Sequence, residues 1–332
     1  MAYKTPAQTA QAAVESGVAK AGLSPAKALV GGFLAGAYIA FGSLVAIATT
    51  SGLDPKTWGT LPTLVFGAVF SLGLILVILA GAELLTGNMA LLPLAALQKR
   101  IPVARIPLNW AIVFVGNFLG SLFVAYFLAV KTGVIGHAGS KEAALLTFER
   151  LSKIASLKAL SESDTQIFLR AVGCNWLVCL GVWLAISADD IGGKILGIFF
   201  PITAFVAMGF DHVVANMFFL PAAIFAHVPG MTWAHALNNI FFALIGNIVG
   251  AVLFVALAYW YLYLRGAPSD RAVGAENAQG GSSGSGGSGG SGGAYGHGGA
   301  GERDDRSGTP AGAVAAGAGP SGTSRDGRPR RR

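Results

Sequence analysis

Two short polar stretches, Glu83-Leu-Leu-Thr-Gly-Asn-Met89 and Asp211-His-Val-Val-Ala-Asn-Met217, interrupt long apolar segments of the chain. Each begins with an acidic residue and ends with Asn-Met, and their first residues are 128 positions apart. A second matching pair, Gly116-Asn-Phe-Leu-Gly120 and Gly246-Asn-Ile-Val-Gly250, follows in the same order at a spacing of 130. Two matches in the same order at nearly the same spacing predict an internal repeat.

The composition around these stretches is that of an integral membrane protein. Of the 332 residues, 53% are hydrophobic and 12% are charged, which is about half the ~25% charged share of a soluble domain. Mean hydropathy is +0.61, although residues 266–332 contain almost no large apolar side chains. A soluble monomer would expose too much apolar surface with this composition. The net charge of +7 lies mostly in end segments and short loops, as is typical of membrane-protein flanks, so we expect no nucleic-acid partner.

Two of the apolar stretches are too short to cross a membrane alone, because a spanning helix needs ~20 residues. Each of them follows another apolar stretch after one of the polar breaks, so we interpret each pair as one broken helix. The prediction is an all-α integral membrane protein with six transmembrane helices, of which the second and fifth are broken. The apolar stretches are residues 28–48, 61–82, 89–97, 107–130, 166–188, 194–209, 213–226 and 234–264.

Each half of this arrangement has three spans, an odd number, so the second half should enter the membrane upside down. Two inverted three-helix repeats are the plan of many transporters, whose sites lie near the midplane where broken helices meet. We expect three parts: a cytoplasmic N-terminal helix (1–26), a transmembrane transport domain (27–265) and a disordered Gly/Ser/Arg-rich cytoplasmic tail (266–332).

Basic residues predict the orientation of the spans in the membrane. The segment before the first span and the loop after the second are rich in lysine and arginine, whereas the loops at 51–60 and 227–233 hold one basic residue between them, Lys56. Both termini should therefore be cytoplasmic, in a multi-pass protein of the cell inner membrane. Residues 131–165 form the longest predicted loop, and their place in the repeat puts them outside.

The two breaks hold the residues that are candidates for chemistry, since irregular backbone at membrane depth is tolerated where it is buried in protein or lines a water-filled path. Ionisable residues inside a membrane are functional candidates, and His212 stands at the second break beside an acid, so we expect a pore role for it. Glu83 and Asp211 occupy equivalent repeat positions. They are expected to cap the half-helices that follow, where unpaired N–H groups and the positive dipole end favour a carboxylate.

Three asparagines carry further expectations. Asn88 and Asn216, which close the two breaks, should bond to backbone groups that the breaks leave free. Asn175 lies inside the fourth span, where a buried amide needs partners; either helix packing or a pore lining would provide them. The two cysteines, Cys174 and Cys179, lie in one apolar run and predict neither a disulfide framework nor a zinc site.

Three motifs in order, Ala82-Glu-Leu-Leu-Thr-Gly-Asn88, Cys174-Asn-Trp-Leu-Val-Cys179 and Gly209-Phe-Asp-His-Val-Val-Ala-Asn-Met217, closely resemble signatures of the formate/nitrite transporter family. The resemblance covers about residues 10–264. It implies an aquaporin-like fold, a homopentamer, and one pore per protomer for a small monovalent anion.

The resemblance also implies roles for individual residues. His212 would be the central pore histidine and Thr86 its hydrogen-bonding partner, with Asn175 nearby, and Lys158 would be the vestibule lysine. The implied apolar constrictions are an outer one, formed by Phe70 and Phe205, and an inner one, formed by Leu74, Leu84 and Val178.

This reading predicts a channel or proton-coupled carrier for small weak-acid anions, with protons as partners and no cofactor. A membrane enzyme would need a nucleophile–base pair or a set of cofactor ligands, and the sequence offers neither. A water or glycerol channel stays open as an alternative of another class. The Asn216-Met-Phe-Phe-Leu-Pro221 stretch resembles formate-type members of the family, and nitrite and hydrosulfide remain as alternative substrates.

Overall fold

The computed structural model describes residues 3–266 of the chain, and within that range the fold is entirely helical apart from one isolated bridge between Tyr3 and Ala188. The predicted tail, from residue 267 onward, lies outside the described residues. The α-helices, numbered in chain order, are α1 (Pro6–Ala21), α2 (Pro25–Thr50), α3 (Pro55–Trp58), α4 (Leu61–Phe70), α5 (Leu72–Ala80), α6 (Leu85–Leu97), α7 (Arg105–Phe123), α8 (Glu142–Ser156), α9 (Asp164–Ser187), α10 (Ile191–Ala207), α11 (Val213–Phe225) and α12 (Trp233–Ala251).

Several helices continue as π-helix, with wider turns, and these extensions lengthen the apolar segments. They follow α7 over Val124–Val130, α8 over Leu157–Ser161, and α12 over Val252–Leu257 and Trp260–Leu264. With the extensions counted, five segments of the described chain are long and apolar enough to cross a membrane: 25–50, 61–80, 105–130, 164–187 and 233–264.

The predicted breaks in the second and fifth spans are present. The second span runs through α4 and α5, leaves helical geometry at Gly81, whose φ is +79°, and resumes as α6. The fifth runs through α10, breaks after Gly209, whose φ is +70°, and resumes as α11. Left-handed backbone of this kind suits glycine, because a side chain there would meet the following carbonyl oxygen.

The half-helices α6 and α11 occupy the middle of the protein. Nearly every residue of both is buried, as expected for short helices that are apolar all round. The N-terminal helix α1 is packed against α6 so closely that a Cβ on Gly17 would lie 2.2 Å from the Leu91 carbonyl oxygen. The segment before the first span is therefore part of the described helical unit.

Residues 131–165, predicted as a loop, contain the helix α8. One face of α8 is buried through Thr147, Phe148, Leu151 and Ala155, whereas its other positions are mostly polar or charged. This helix is amphipathic rather than apolar, so a search for continuous apolar stretches does not find it.

Glycines set the distance between the long helices. The second repeat motif contributes Gly116 and Gly120 on α7 against α2, and Gly246 and Gly250 on α12 against α9. A Cβ on Gly120 would lie 1.9 Å from the Phe33 carbonyl oxygen, far inside contact distance. Small residues of this kind let membrane helices approach at backbone distance.

We predict that Gly120→Ala prevents normal folding, because the backbone of α2 would have to move and overpacking costs about 1–3 kcal/mol or more. Gly181→Ala is the matched control, since the nearest atoms to its Cβ are side-chain carbons at 3.5 Å. Yield and size-exclusion profile after detergent extraction measure the effect. Wild-type behaviour of Gly120→Ala would contradict this packing.

Candidate functional site

The first break is held by Asn117 on α7, which binds backbone groups of two other segments. Its Oδ1 accepts from the Leu85 N–H at 3.0 Å, and its Nδ2 donates to the Gly32 and Glu83 carbonyl oxygens at 2.8 and 2.9 Å. The amide therefore satisfies the first N–H of α6 and a carbonyl of the break, both of which lack helical partners.

Asn247 on α12 does the same for the second break. Its Oδ1 accepts from the Val213 N–H at 2.9 Å, and its Nδ2 donates to the Ala171 and Asp211 carbonyl oxygens at 2.8 and 2.9 Å. The two breaks thus share one hydrogen-bond pattern, in register with the repeat. Both asparagines stand in the second repeat motif, which marked their positions without indicating this role.

The expectation that Glu83 and Asp211 cap the half-helices is wrong. The N-cap of α6 is Leu84, without a side-chain bond, and the N-cap of α11 is His212. Each carboxylate is instead turned toward a lysine: Glu83 lies 2.8 Å from Lys20 Nζ, and Asp211 lies 2.8 Å from Lys158 Nζ. A full positive charge is a better partner for a carboxylate in a low dielectric than a partial helix charge.

The expectation that Asn88 and Asn216 bond to freed backbone is also wrong, because their amides face side chains. Asn88 Nδ2 donates to Glu83 Oε2 and to Asn109 Oδ1 at 3.0 and 2.9 Å. Asn216 Nδ2 donates to Asp211 Oδ1 and to Asn239 Oδ1 at 2.9 and 2.7 Å.

His212 and Thr86 meet at the junction of the two breaks, where both are buried. The His212 ring links the two half-helices. Its Nε2 lies 2.9 Å from Thr86 Oγ1 on α6, and its Nδ1 accepts from the Ala215 N–H on α11 at 3.1 Å. Because Nδ1 accepts a hydrogen bond, the proton of the neutral ring is on Nε2, which then donates to Thr86 Oγ1. This assignment follows from the hydrogen bonds and leaves the Thr86 hydroxyl hydrogen free for a further acceptor.

A small cavity of about 10 Å³ adjoins this pair and has close to the minimum room for one water molecule. All five residues assigned to the constrictions lie on its wall, and His212 is the one polar residue among the described residues that line it. Phe70 and Phe205 face each other edge-on with ring centroids 6.0 Å apart. The small cavity is lined by Ile39, Phe70, Leu74, Leu84, Val178, Ile202, Phe205 and His212.

A large cavity of about 220 Å³ adjoins the small one, and Phe70, Phe205 and His212 line both. Among the described residues, three cationic side chains, Arg150, Lys153 and Lys158, line the large cavity, and no acidic residue does. Sequence reasoning missed Arg150, which lies on the amphipathic helix α8.

Like Thr86, Asn175 is not among the described residues that line the two cavities. Its Nδ2 donates to the Thr86 and Asn247 carbonyl oxygens at 3.2 and 2.8 Å. Of its two predicted roles, the structure therefore favours packing between α9, α6 and α12. Among residues 3–266, no three His, Cys, Asp or Glu side chains are grouped to hold a metal ion.

Lys158 is buried in a cluster of charged groups at the edge of the large cavity. Its partner Asp211 also contacts Glu162, which is ion-paired with Arg170. Glu162 Oε2 and Asp211 Oδ2 are buried and have no hydrogen-bond donor within the described chain. A proton on Glu162 would satisfy both oxygens. Burial, reinforced by the negative charge of Asp211, raises the pKa of Glu162 to about 7.

Comparison with known proteins agrees with this geometry. The family model described as formate/nitrite transporter matches residues 7–261. A probable formate transporter of Methanothermobacter thermautotrophicus is 47% identical over 272 residues, covering 79% of this chain and 98% of that protein. A formate channel of Bacillus thuringiensis is 42% identical over 265 residues, covering 79% and 97%. A solved structure described as a pentameric formate channel with formate bound has a TM-score of 0.63 at 27% identity, covering 72% of this chain and 98% of that one.

The buried Glu162 carboxyl predicts that the folded protein loses stability as pH rises from about 5 to 8. The folded state holds the Glu162 proton up to about pH 7, whereas the unfolded chain releases it near the ordinary value, so folding binds a proton in that window. Glu162→Gln keeps the shape of the side chain without its charge. It should reduce the fall in the thermal unfolding midpoint between about pH 5 and pH 8 by on the order of 5 °C. Exposed Glu149→Gln is the control, and the same slope in wild type and Glu162→Gln would contradict the assignment.

Proposed function

The chain belongs to the formate/nitrite transporter family, and we propose that it carries small monovalent weak acids across a membrane, with formate as the substrate. The protein is a multi-pass membrane transport protein and not an enzyme. The observation that carries the proposal is the neutral His212 ring, bound to Thr86, on the wall of a cavity whose other described lining residues are apolar, beside a cation-lined cavity.

The first step is capture of the anion in the large cavity. Cations lining a cavity with low-dielectric walls raise the local concentration of anions. Lys158, the vestibule lysine in our assignment, contributes to that field. Its pairing with Asp211 at 2.8 Å offsets much of its charge.

The second step is passage between the rings of Phe70 and Phe205. A carboxylate loses its hydration there, and the idealised cost of moving such an ion into a low dielectric is on the order of 20 kcal/mol. Desolvation favours the protonated form of the acid, and the neutral acid crosses at far lower cost. We therefore place protonation at the boundary between the large and small cavities.

The ring contacts of His212 support water in the large cavity as the source of the proton. The Nε2 proton is donated to Thr86, and Nδ1 is occupied by the Ala215 N–H. If the ring gave up its Nε2 proton, an imidazolate would remain in an apolar site. In this proposal His212 is the polar residue on the path of the acid, and its bond to Thr86 holds the ring neutral and in place.

Assembly and orientation are part of the same proposal. The pentameric structure described above supports a homopentamer with one pore per protomer. Lys20 and Arg100 belong to basic segments that we predict to face the cytoplasm. Lys20 forms an ion pair with Glu83, and Arg100 forms one with Glu15. We place both termini in the cytoplasm, the large cavity toward the outside, the two halves as inverted repeats, and the protein in the inner membrane.

We expect purified protein in proteoliposomes to take up formate, with initial rates that rise steeply as external pH falls, because the protonated acid is the species that crosses. Nitrite is the second candidate, since the family name includes it, and belongs in the same panel. Glycerol, tested by vesicle swelling, should not enter. Glycerol entry without formate uptake would overturn the proposal in favour of a neutral-solute channel.

We predict that His212→Phe reduces net formate uptake by at least about tenfold, because it removes the polar group of the small cavity. His212→Asn serves as a folding control, since asparagine is a good N-cap and can still begin α11. Size-exclusion chromatography checks assembly of both variants. Wild-type uptake by a correctly assembled His212→Phe protein would exclude the proposed role of the His212 ring in formate transport.

A further inference from the structure

Arg150 makes unusual contacts for an arginine that lines a cavity in a membrane protein. Its guanidinium lies over the Phe66 ring, 5.2 Å from the centroid. Within residues 3–266 it forms neither a hydrogen bond nor an ion pair, and its Nε is buried without a partner. The cation is therefore oriented by an aromatic ring, and the described chain provides no hydrogen-bond acceptor for its donors.

The other cations of the large cavity differ from Arg150 in one way each. Lys158 is buried and neutralised by Asp211. Lys153 is exposed on the same helix, and its charge is screened by solvent. Arg150 alone among the three combines partial burial with the absence of a carboxylate partner.

We propose that Arg150 is an anion-docking site that selects planar anions with two oxygen atoms, carboxylates in particular, before they reach Phe70 and Phe205. A guanidinium presents parallel N–H donors that match two carboxylate oxygens, whereas a lysine acts as a point charge. The proposal rests on the function proposed above and adds the residue that recognises the substrate.

The position of Arg150 fits a docking step rather than the crossing step. Arg150 lines the large cavity but not the small one, whereas Phe70, Phe205 and His212 line both. An anion held by Arg150 stays in the hydrated part of the path. Its loss should therefore raise KM for formate and leave the maximal rate unchanged.

Uptake kinetics of three variants test the docking geometry. Arg150→Gln should raise the KM for formate about tenfold, since a charge-assisted bidentate contact is lost. Arg150→Lys, which keeps the charge without the fork, should recover only part of that loss. Lys141→Gln is the control, since Lys141 is exposed at the start of α8 and is not among the residues that line the two cavities; it should change KM by less than about twofold.

Two kinetic outcomes would overturn the proposal. One is a wild-type KM in Arg150→Gln, which would leave the cation–π contact as a structural feature. The other is a wild-type KM in Arg150→Lys, which would mean that charge alone matters and not the fork.

A second measurement does not depend on transport. Phenylglyoxal modifies accessible arginines, and peptide mass spectrometry of the detergent-solubilised protein reads modification at Arg150. Formate should slow that modification several-fold, and chloride at equal ionic strength should not. Protection without vesicle uptake would support docking while rejecting the proposed transport, and uptake without formate-specific protection would reject docking alone.

Discussion

The whole arrangement depends on pairing backbone groups where two helices break inside a membrane. Each unpaired N–H or C=O in such a place costs several kcal/mol. Asn117 and Asn247 supply the missing partners, and each also binds a carbonyl of a further helix, Gly32 or Ala171. Each asparagine therefore both pairs the backbone of a break and joins that break to a neighbouring helix. The glycines beside these asparagines let the helices approach closely enough for the amides to reach.

Because the asparagines satisfy the backbone, the acidic residues of the breaks are available for lysines. Buried ion pairs contribute little net stability on average, since desolvation offsets their attraction. Their effect here is on the distribution of charge. Asp211 neutralises Lys158 beside the large cavity, and Glu162 and Arg170 extend the cluster. Positive charge without a carboxylate partner among residues 3–266 then remains on helix α8, at Arg150 and Lys153.

The breaks and the apolar spans could be predicted from the sequence because apolar length and polar interruptions are local signals. The ion pairs of the acidic residues could not be predicted. The lysine that binds Asp211 is 53 residues away, and nothing local distinguishes a capping carboxylate from an ion-paired one. Phe70 and Leu74 became pore candidates only through a family resemblance. An apolar side chain in a membrane helix shows no sign of whether it faces lipid, another helix or a cavity. Arg150 was missed because α8 is amphipathic and was taken for a loop.

Cationic side chains line the large cavity and apolar side chains line most of the small one. One hydrogen bond keeps His212, which lines both cavities, uncharged. The Ala215 N–H, in the first turn of α11, points at His212 Nδ1, so a proton on Nδ1 would set two donors against each other and undo the cap. The start of α11 thus keeps the His212 ring neutral on the wall of the small cavity. A charged histidine there would hold an anion in place, whereas a neutral ring bound to Thr86 carries no charge that would trap it. In the transport that we propose, the same break that creates the opening therefore determines which form of a weak acid passes.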